Sequence, residues 1–278
     1  MTRTRVLAAL VLTPLAIAAI LLLPTPWLVA LTAVVFLAGL WEWLRLADID
    51  DTLARTALLV VNLALMVAIV WASRTTHGFN YVLFQILVVV GVVWWLLAGL
   101  WLKHYNFASD HDTHARVFKL AAGSLAILPA WAAIGLLHGA QPNGHRWLFI
   151  ALAVVWAADS GAYFAGRHYG RRKLSPRISP NKTVEGMLGG LAAGLVVALA
   201  FAPLAGASLA QLPAVALVAA IAVGFSVVGD LFESLLKRHV GAKDSGDLIP
   251  GHGGILDRID GVLAALPVFA LGKAWLGF

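Results

Sequence analysis

The feature that most constrains this chain is a recurrence. Apolar stretches of about 20 residues, each long enough as a helix to cross roughly 30 Å of hydrocarbon, follow one another almost from end to end. They occupy residues 6–23, 27–46, 53–72, 81–102, 117–137, 147–165, 184–203, 212–236 and 259–276. Of the 278 residues 61% are hydrophobic and 12% are charged, whereas about a quarter of an ordinary soluble domain is charged. The chain therefore reads as an all-α, polytopic integral membrane protein of about nine transmembrane helices, forming one continuous membrane domain. Residues 1–150 are expected to supply scaffold, lipid access or a dimer contact, and residues 151–278 to carry the chemistry. There is no cysteine, which excludes disulfides and thiolate chemistry. The net charge of +6 suits an anionic lipid or nucleotide, and no nucleic-acid-binding module is visible.

Arg3 and Arg5 before the first apolar stretch resemble a signal peptide, but eight further stretches follow and an uncleaved first helix is the preferred reading. Charge asymmetry orients the bundle. Of the 20 Lys and Arg, only Arg74, Arg146 and Lys273 fall outside when the N-terminus is cytoplasmic, 17 against 3, which predicts an inside N-terminus and an outer C-terminus. The membrane expected is a bacterial inner membrane, with the site facing the cytoplasm. Glu42, inside the end of the second span, reads as snorkelling toward headgroups beside Arg45. Asp48, Asp50 and Asp51 read as a solvated turn. His111, Asp112 and His114 lie in a short polar loop without the helical spacing of a zinc site.

Residues 234–260 hold four basic residues and four carboxylates in an otherwise apolar chain. Just before them, Asp230, Glu233, Ser234 and Lys237 share one helical face at i, i+3, i+4 and i+7. Asp257 and Asp260 stand three apart at the start of the last span, and Asp159 shares a face with Tyr163 on the sixth. A carboxylate at a bilayer centre costs about 2.5–3.5 kcal/mol on insertion scales, so these acids are expected to face an interior or aqueous cavity. Three helix ends thus bring oxygen ligands to one level, and oxygen ligation with water and phosphates suits Mg2+. The complementary half is the basic stretch 166–183. There Ser179, Pro180, Asn181, Lys182 and Thr183 read as a helix start, with Ser179 as N-cap and Pro180 at the first helical position, offering N–H groups to an anion. In the run Gly251, His252, Gly253, Gly254 the glycines allow unusual backbone angles and close approach to a ligand. Gly186, Gly190 and Gly194 form a small-residue face for close helix packing.

These residues carry a resemblance. Ser234, Lys237, Arg238, Lys243, Asp244, Gly246, Pro250, His252, Gly253, Gly254, Asp257, Arg258 and Asp260 stand at the spacing of the phosphatidate cytidylyltransferase (CDP-diacylglycerol synthase) family signature. A second block, Asp159 to Tyr163 with Gly166 and Arg167, then Ser179 to Gly186 including Glu185, is similar to that family's nucleotide-side motif, with Asn181 where many members carry Lys. The resemblance covers residues 157–262. It implies transfer of the cytidylyl group of CTP to phosphatidic acid, giving CDP-diacylglycerol and pyrophosphate, by a homodimer embedded in membrane lipid. It also implies a divalent metal, Mg2+ or another, on Asp230 and Asp257, with K+ possible at the same centre. Asp260 and Asp159 are then supporting metal ligands or orienters. Lys182, Lys237, Arg238, Lys243 and Arg258 are expected to hold phosphates, and His252 to donate a hydrogen bond or position the glycine turn. Two rivals share parts of the pattern. An ion-coupled transporter also uses intramembrane acids, though at the midplane, and a CTP-dependent lipid kinase would need a base for its alcohol substrate.

Overall fold

The computed structural model describes residues 2–76, 78–110, 112–248 and 253–278. Among them the chain forms nine α-helices and two short hairpins: α1 (Thr2–Leu22), α2 (Thr25–Leu46), α3 (Thr52–Ala72), β1 (Arg74–Thr75), β2 (Gly78–Phe79), α4 (Val82–Trp101), α5 (Thr113–Gly139), α6 (Gly144–Tyr169), β3 (Lys173–Ser175), β4 (Ser179–Thr183), α7 (Val184–Phe201), α8 (Leu212–His239) and α9 (Leu256–Leu276). Eight of these helical segments, all but α1, are long and apolar enough to cross a membrane; α1 contributes a shorter apolar stretch, Thr13–Leu22. The protein is an all-α polytopic membrane protein, as its apolar periodicity predicts.

Helix starts follow local chemistry. Asp51 accepts a hydrogen bond from the Leu53 amide at 3.0 Å and caps α3, and Asp112 accepts from the Ala115 amide at 2.7 Å and caps α5. Asp112 is thus a helix cap. No three His, Asp or Glu side chains converge on a metal position among the described residues, and His111 lies outside them. Asp48 is more than a solvated turn residue: its carboxylate lies 3.4 Å from the ammonium of Lys119, which is 0% exposed inside α5.

The core lies around α5 and α9, whose buried faces pack against α2, α4, α6 and α8. Buried indoles tie these helices together. Trp43 Nε1 donates to the Lys119 carbonyl at 2.8 Å and Trp131 Nε1 to the Val29 carbonyl at 3.0 Å. Trp95 Nε1 donates to the Leu263 carbonyl at 3.0 Å, and the position four residues on is Pro267, which has no N–H to offer that carbonyl. The indole from α4 therefore satisfies the acceptor that a proline inside α9 leaves open. By contrast, α3 buries only Asn62 and Met66.

Glycines line the seam between α6 and α7 and let the two helices approach closely. A Cβ at Gly161 would lie 2.7 Å from the Gly189 carbonyl, and one at Gly190 would lie 2.7 Å from the Ala158 carbonyl. Gly186, Gly190 and Gly194 are all buried, as their small-residue spacing predicts. The seam brings the last turn of α6 against the hairpin that leads into α7.

That hairpin differs from expectation. Ser179 to Thr183 form strand β4, antiparallel to β3, so neither Ser179 nor Pro180 starts a helix. The cap is Thr183, whose Oγ1 accepts from the Gly186 amide at 3.1 Å. Pairing with Lys173 to Ser175 supplies extended neighbours for residues 179–183, and Pro180, exposed on a two-stranded edge, is tolerated there.

Candidate active site

A cavity of about 660 Å3 opens where one end of α6, α7, α8 and α9 meets the β3–β4 hairpin. Helix α6 contributes Asp159, Tyr163 and Arg167; the strand contributes Ser179, Asn181, Lys182 and Thr183. Helix α8 contributes Asp230, Glu233 and Lys237, and α9 contributes Asp257 and Asp260. The i, i+3, i+7 spacing on α8 and the i, i+3 spacing on α9 are what turn these side chains to one side. Gly229 lets the two helices meet, since a side chain there would run into the Asp260 carbonyl, and this sets Asp230 beside Asp260. On α6, Arg167 donates from Nη1 to the Tyr163 hydroxyl at 2.9 Å, one turn away.

Charge inside the cavity is partly paired. Lys182 forms an ion pair with Asp230, joining the hairpin to α8. Lys237 lies between two carboxylates, 2.6 Å from Glu233 Oε2 and 2.7 Å from Asp257 Oδ1. Glu233 is 2% exposed and depends on that ammonium for its compensation. The lining holds five carboxylates, Asp159, Asp230, Glu233, Asp257 and Asp260, against three cations, Arg167, Lys182 and Lys237. An acid excess of this kind suits a divalent cation. No three of these carboxylates form a protein-only cage among the described residues, and a hard divalent cation such as Mg2+ held by this all-oxygen set would take one or two of them and complete its shell with water and substrate phosphate.

Asp257 is the most fully engaged of the acids. Its Oδ2 accepts from the Ser245 and Gly254 amides, each at 3.0 Å, while Oδ1 faces Lys237. Behind it lies a residue that the sequence reading placed elsewhere. Glu42 of α2 does not snorkel: it is 2% exposed, and its Oε2 accepts from the Leu256 amide at 2.8 Å and the Ser245 hydroxyl at 3.1 Å. The free N–H groups at the start of α9 and their positive dipole draw the carboxylate inward, away from the headgroups. Arg45 instead donates to the Ser245 carbonyl at 2.6 Å.

Several expected site residues sit around the cavity and not in its lining. Arg238 donates from Nε to the Ile178 carbonyl at 3.1 Å and ties the hairpin to the end of α8. Glu185 accepts from the Arg171 amide at 2.9 Å and the Arg172 amide at 3.1 Å, and its carboxylate lies 3.4 Å from Arg172 Nε, so it shapes the basic turn. Ser234 is buried in α8, while Lys243, Asp244 and Arg258 are exposed beside the loop and Pro180 is exposed on β4. Gly254 contributes its amide to Asp257, and Gly253 adopts φ +82°, a conformation that glycine accepts without strain. His252 lies outside the described residues.

Residues 3–274 match the model of the cytidylyltransferase family. A phosphatidate cytidylyltransferase of Pseudomonas aeruginosa is 40% identical over 270 residues, covering 97% of this chain and 96% of that protein. One from Haemophilus influenzae is 37% identical over 288 residues, covering 97% of this chain and 98% of its own length. The phosphatidate cytidylyltransferase of Bacillus subtilis reaches 49% identity over 128 residues, 45% of this chain and 46% of that protein.

Proposed function

Because this chain belongs to the cytidylyltransferase family, we propose that it transfers the cytidylyl group of CTP to phosphatidic acid, giving CDP-diacylglycerol for phospholipid biosynthesis and releasing pyrophosphate. The observation that carries this reading is the near full-length similarity to phosphatidate cytidylyltransferases. The cavity supports it with chemistry of the right kind, since it combines lysines for phosphate with an excess of carboxylates and lies at the end of membrane helices.

In the reaction, a phosphate oxygen of the lipid forms a bond to the α-phosphorus of CTP, the bond from that phosphorus to the β-phosphate oxygen breaks, and pyrophosphate departs with the electron pair. A phosphate monoester has a second pKa of about 6, so the nucleophile is already largely ionised at neutral pH and no general base is required. The difficulty is electrostatic, because one polyanion must approach another. Lys182 and Lys237 face the cavity as compact positive charges suited to phosphate oxygens. Arriving phosphate competes with Asp230 for Lys182, which frees that carboxylate for a cation. When bound, a divalent cation supplies charge neutralisation at the phosphates, and Asp230 and Asp257 would hold it with Asp159 and Asp260 in support. Arg167 and Tyr163 border the same space and orient the nucleotide or the lipid phosphate.

The site faces the cytoplasm of a bacterial inner membrane in this reading, supported by the 17 to 3 distribution of Lys and Arg. A homodimer belongs to the same proposal and is tested by the mass of the detergent-solubilised protein. The activity itself is tested by pyrophosphate release from CTP and Mg2+. Release that requires phosphatidic acid and stops on chelation supports the proposal; release with diacylglycerol in its place would refute it, because an alcohol nucleophile belongs to a different reaction.

A further inference from the structure

The carboxylate of Glu42 lies in the N-terminal half of the chain yet touches both the Ser245 turn and the start of α9, the helix that carries Asp257. Its Oε2 accepts from the first amide of α9, that of Leu256, at 2.8 Å, and from the hydroxyl of Ser245 at 3.1 Å. Ser245 is wholly buried and bonds Asp257 twice: its amide donates to Asp257 Oδ2 at 3.0 Å, and its hydroxyl oxygen accepts from the Asp257 amide at 3.3 Å. One turn along α2 from Glu42, Arg45 holds the Ser245 carbonyl at 2.6 Å. Three elements are thus stacked in series, from the carboxylate on α2 through the Ser245 turn to the carboxylate at the start of α9.

The surrounding backbone is fitted to this arrangement. A Cβ at Gly246 or at Gly254 would collide with the Glu42 carboxylate, so the loop can close over it only with glycine at both positions. Packing α2 against α9 needs no charge, and an apolar side chain would achieve it without the desolvation of a carboxylate. What the charge adds is direction. It accepts from two donors at once and leaves the Ser245 amide one place to point, toward Asp257.

We infer that Glu42 is a positioning residue for the cytidylyl transfer: through Ser245 and the Leu256 amide it fixes the Asp257 carboxylate in the cavity wall, so that chemistry in the C-terminal helices depends on α2. The inference rests on the cytidylyltransferase reading for its effect on turnover, and on geometry alone for its effect on the loop.

The test compares wild type, Glu42→Ala, Glu42→Gln and Ser245→Ala, purified in detergent, by two readouts. The first is turnover per folded molecule as a function of Mg2+. The second is deuterium uptake at peptides carrying Ser245 and Leu256, with peptides of α6 and α7 as reference. Groups that orient a metal ligand typically contribute 10- to 100-fold, so Glu42→Ala is expected to lower kcat by about that factor and to raise the Mg2+ needed for half-maximal rate. It is also expected to speed exchange at Ser245 and Leu256 while α6 and α7 keep theirs. Glu42→Gln, which retains one acceptor oxygen for both donors, should recover most of the loss, and Ser245→Ala should reproduce part of it. If Glu42→Ala does not fold, Ser245→Ala decides by the same two measurements. Unchanged exchange at Ser245 and Leu256, or unchanged kcat and Mg2+ dependence, overturns the inference. Wild-type protein that makes no CDP-diacylglycerol defeats the functional reading instead, and the exchange result still decides whether Glu42 holds the loop.

Discussion

Replacing Asp257 with Asn changes no shape and removes one acceptor, which makes its consequence calculable from the contacts. The carboxylate accepts on both sides, from the Ser245 and Gly254 amides at Oδ2 and from Lys237 at Oδ1. An amide has one acceptor oxygen, so Asn must choose. With the oxygen toward the two backbone amides, its NH2 faces the Lys237 ammonium and one charge-assisted bond is lost. With the oxygen toward Lys237, the NH2 meets two N–H donors and two bonds are lost. The first orientation wins and preserves the loop. A hydrogen bond to a charged group contributes about 1.5–3 kcal/mol, and the low end applies because Lys237 keeps Glu233 at 2.6 Å. The variant is therefore expected to fold and insert, melting only slightly earlier in detergent. Turnover should fall by about a hundredfold or more, the scale on which losing one group that stabilises developing charge acts. The assay is CDP-diacylglycerol formation by purified variant at fixed Mg2+, read beside a melting curve. Near-wild-type turnover at ordinary Mg2+ would refute the reasoning.

Other expectations concern the surroundings. Gly161→Leu must place a Cβ 2.6 Å from that of Ala193, and overpacking costs about 1–3 kcal/mol, so folded yield and melting temperature should drop; a wild-type melt would contradict the close α6–α7 seam. Glu185→Ala releases the Arg171 and Arg172 amides, which should raise KM for CTP while kcat changes little; equal loss in both would place Glu185 in the reacting centre instead. Lys119 is 0% exposed and compensated by Asp48 at 3.4 Å. Breaking a buried pair from one side costs about 3–5 kcal/mol, and most where the charge left behind is the more deeply buried; Asp48→Asn strands the fully buried Lys119 ammonium, while Lys119→Met leaves Asp48, whose side chain is 18% exposed, within reach of water, so Asp48→Asn should destabilise more than Lys119→Met in thermal melts, and the reverse order would contradict it.

The spans were legible because length and hydropathy decide them without reference to the rest of the chain. Helix α2 ends at Leu46 and α3 at Ala72, where the apolar stretches do. The end of α6 was less so: the apolar stretch stops at residue 165, yet the helix runs on to Tyr169 and presents Arg167 one turn above Tyr163. Helical spacing also turned Asp230, Glu233, Lys237, Asp257 and Asp260 to one cavity, since i, i+3 and i+7 relations survive whatever the helices pack against. Two features escaped for the same reason: each depends on a partner that sequence order does not indicate. Residues 179–183 are a strand because β3 lies beside them, and the Pro180 pattern mimicked a helix start; Thr183, with Glu185 two residues on in the first turn, was the better cap. Glu42 meets Leu256, a partner 214 positions away, so only the oddity of an acid between Trp41 and Trp43 pointed to it. Arg238 carries the charge expected of a phosphate ligand and Glu185 stands in the expected nucleotide-side block, but their hydrogen bonds hold the hairpin and the basic turn.

The central claim is that the cavity joins the cytidylyl group, and not the terminal phosphate, to a lipid phosphate. Purified protein given phosphatidic acid, Mg2+ and CTP labelled at either the α- or the γ-phosphorus measures this directly. The account predicts that α-label enters the lipid while γ-label leaves as pyrophosphate. Lipid carrying the γ-label, or no label in lipid at all, would contradict it.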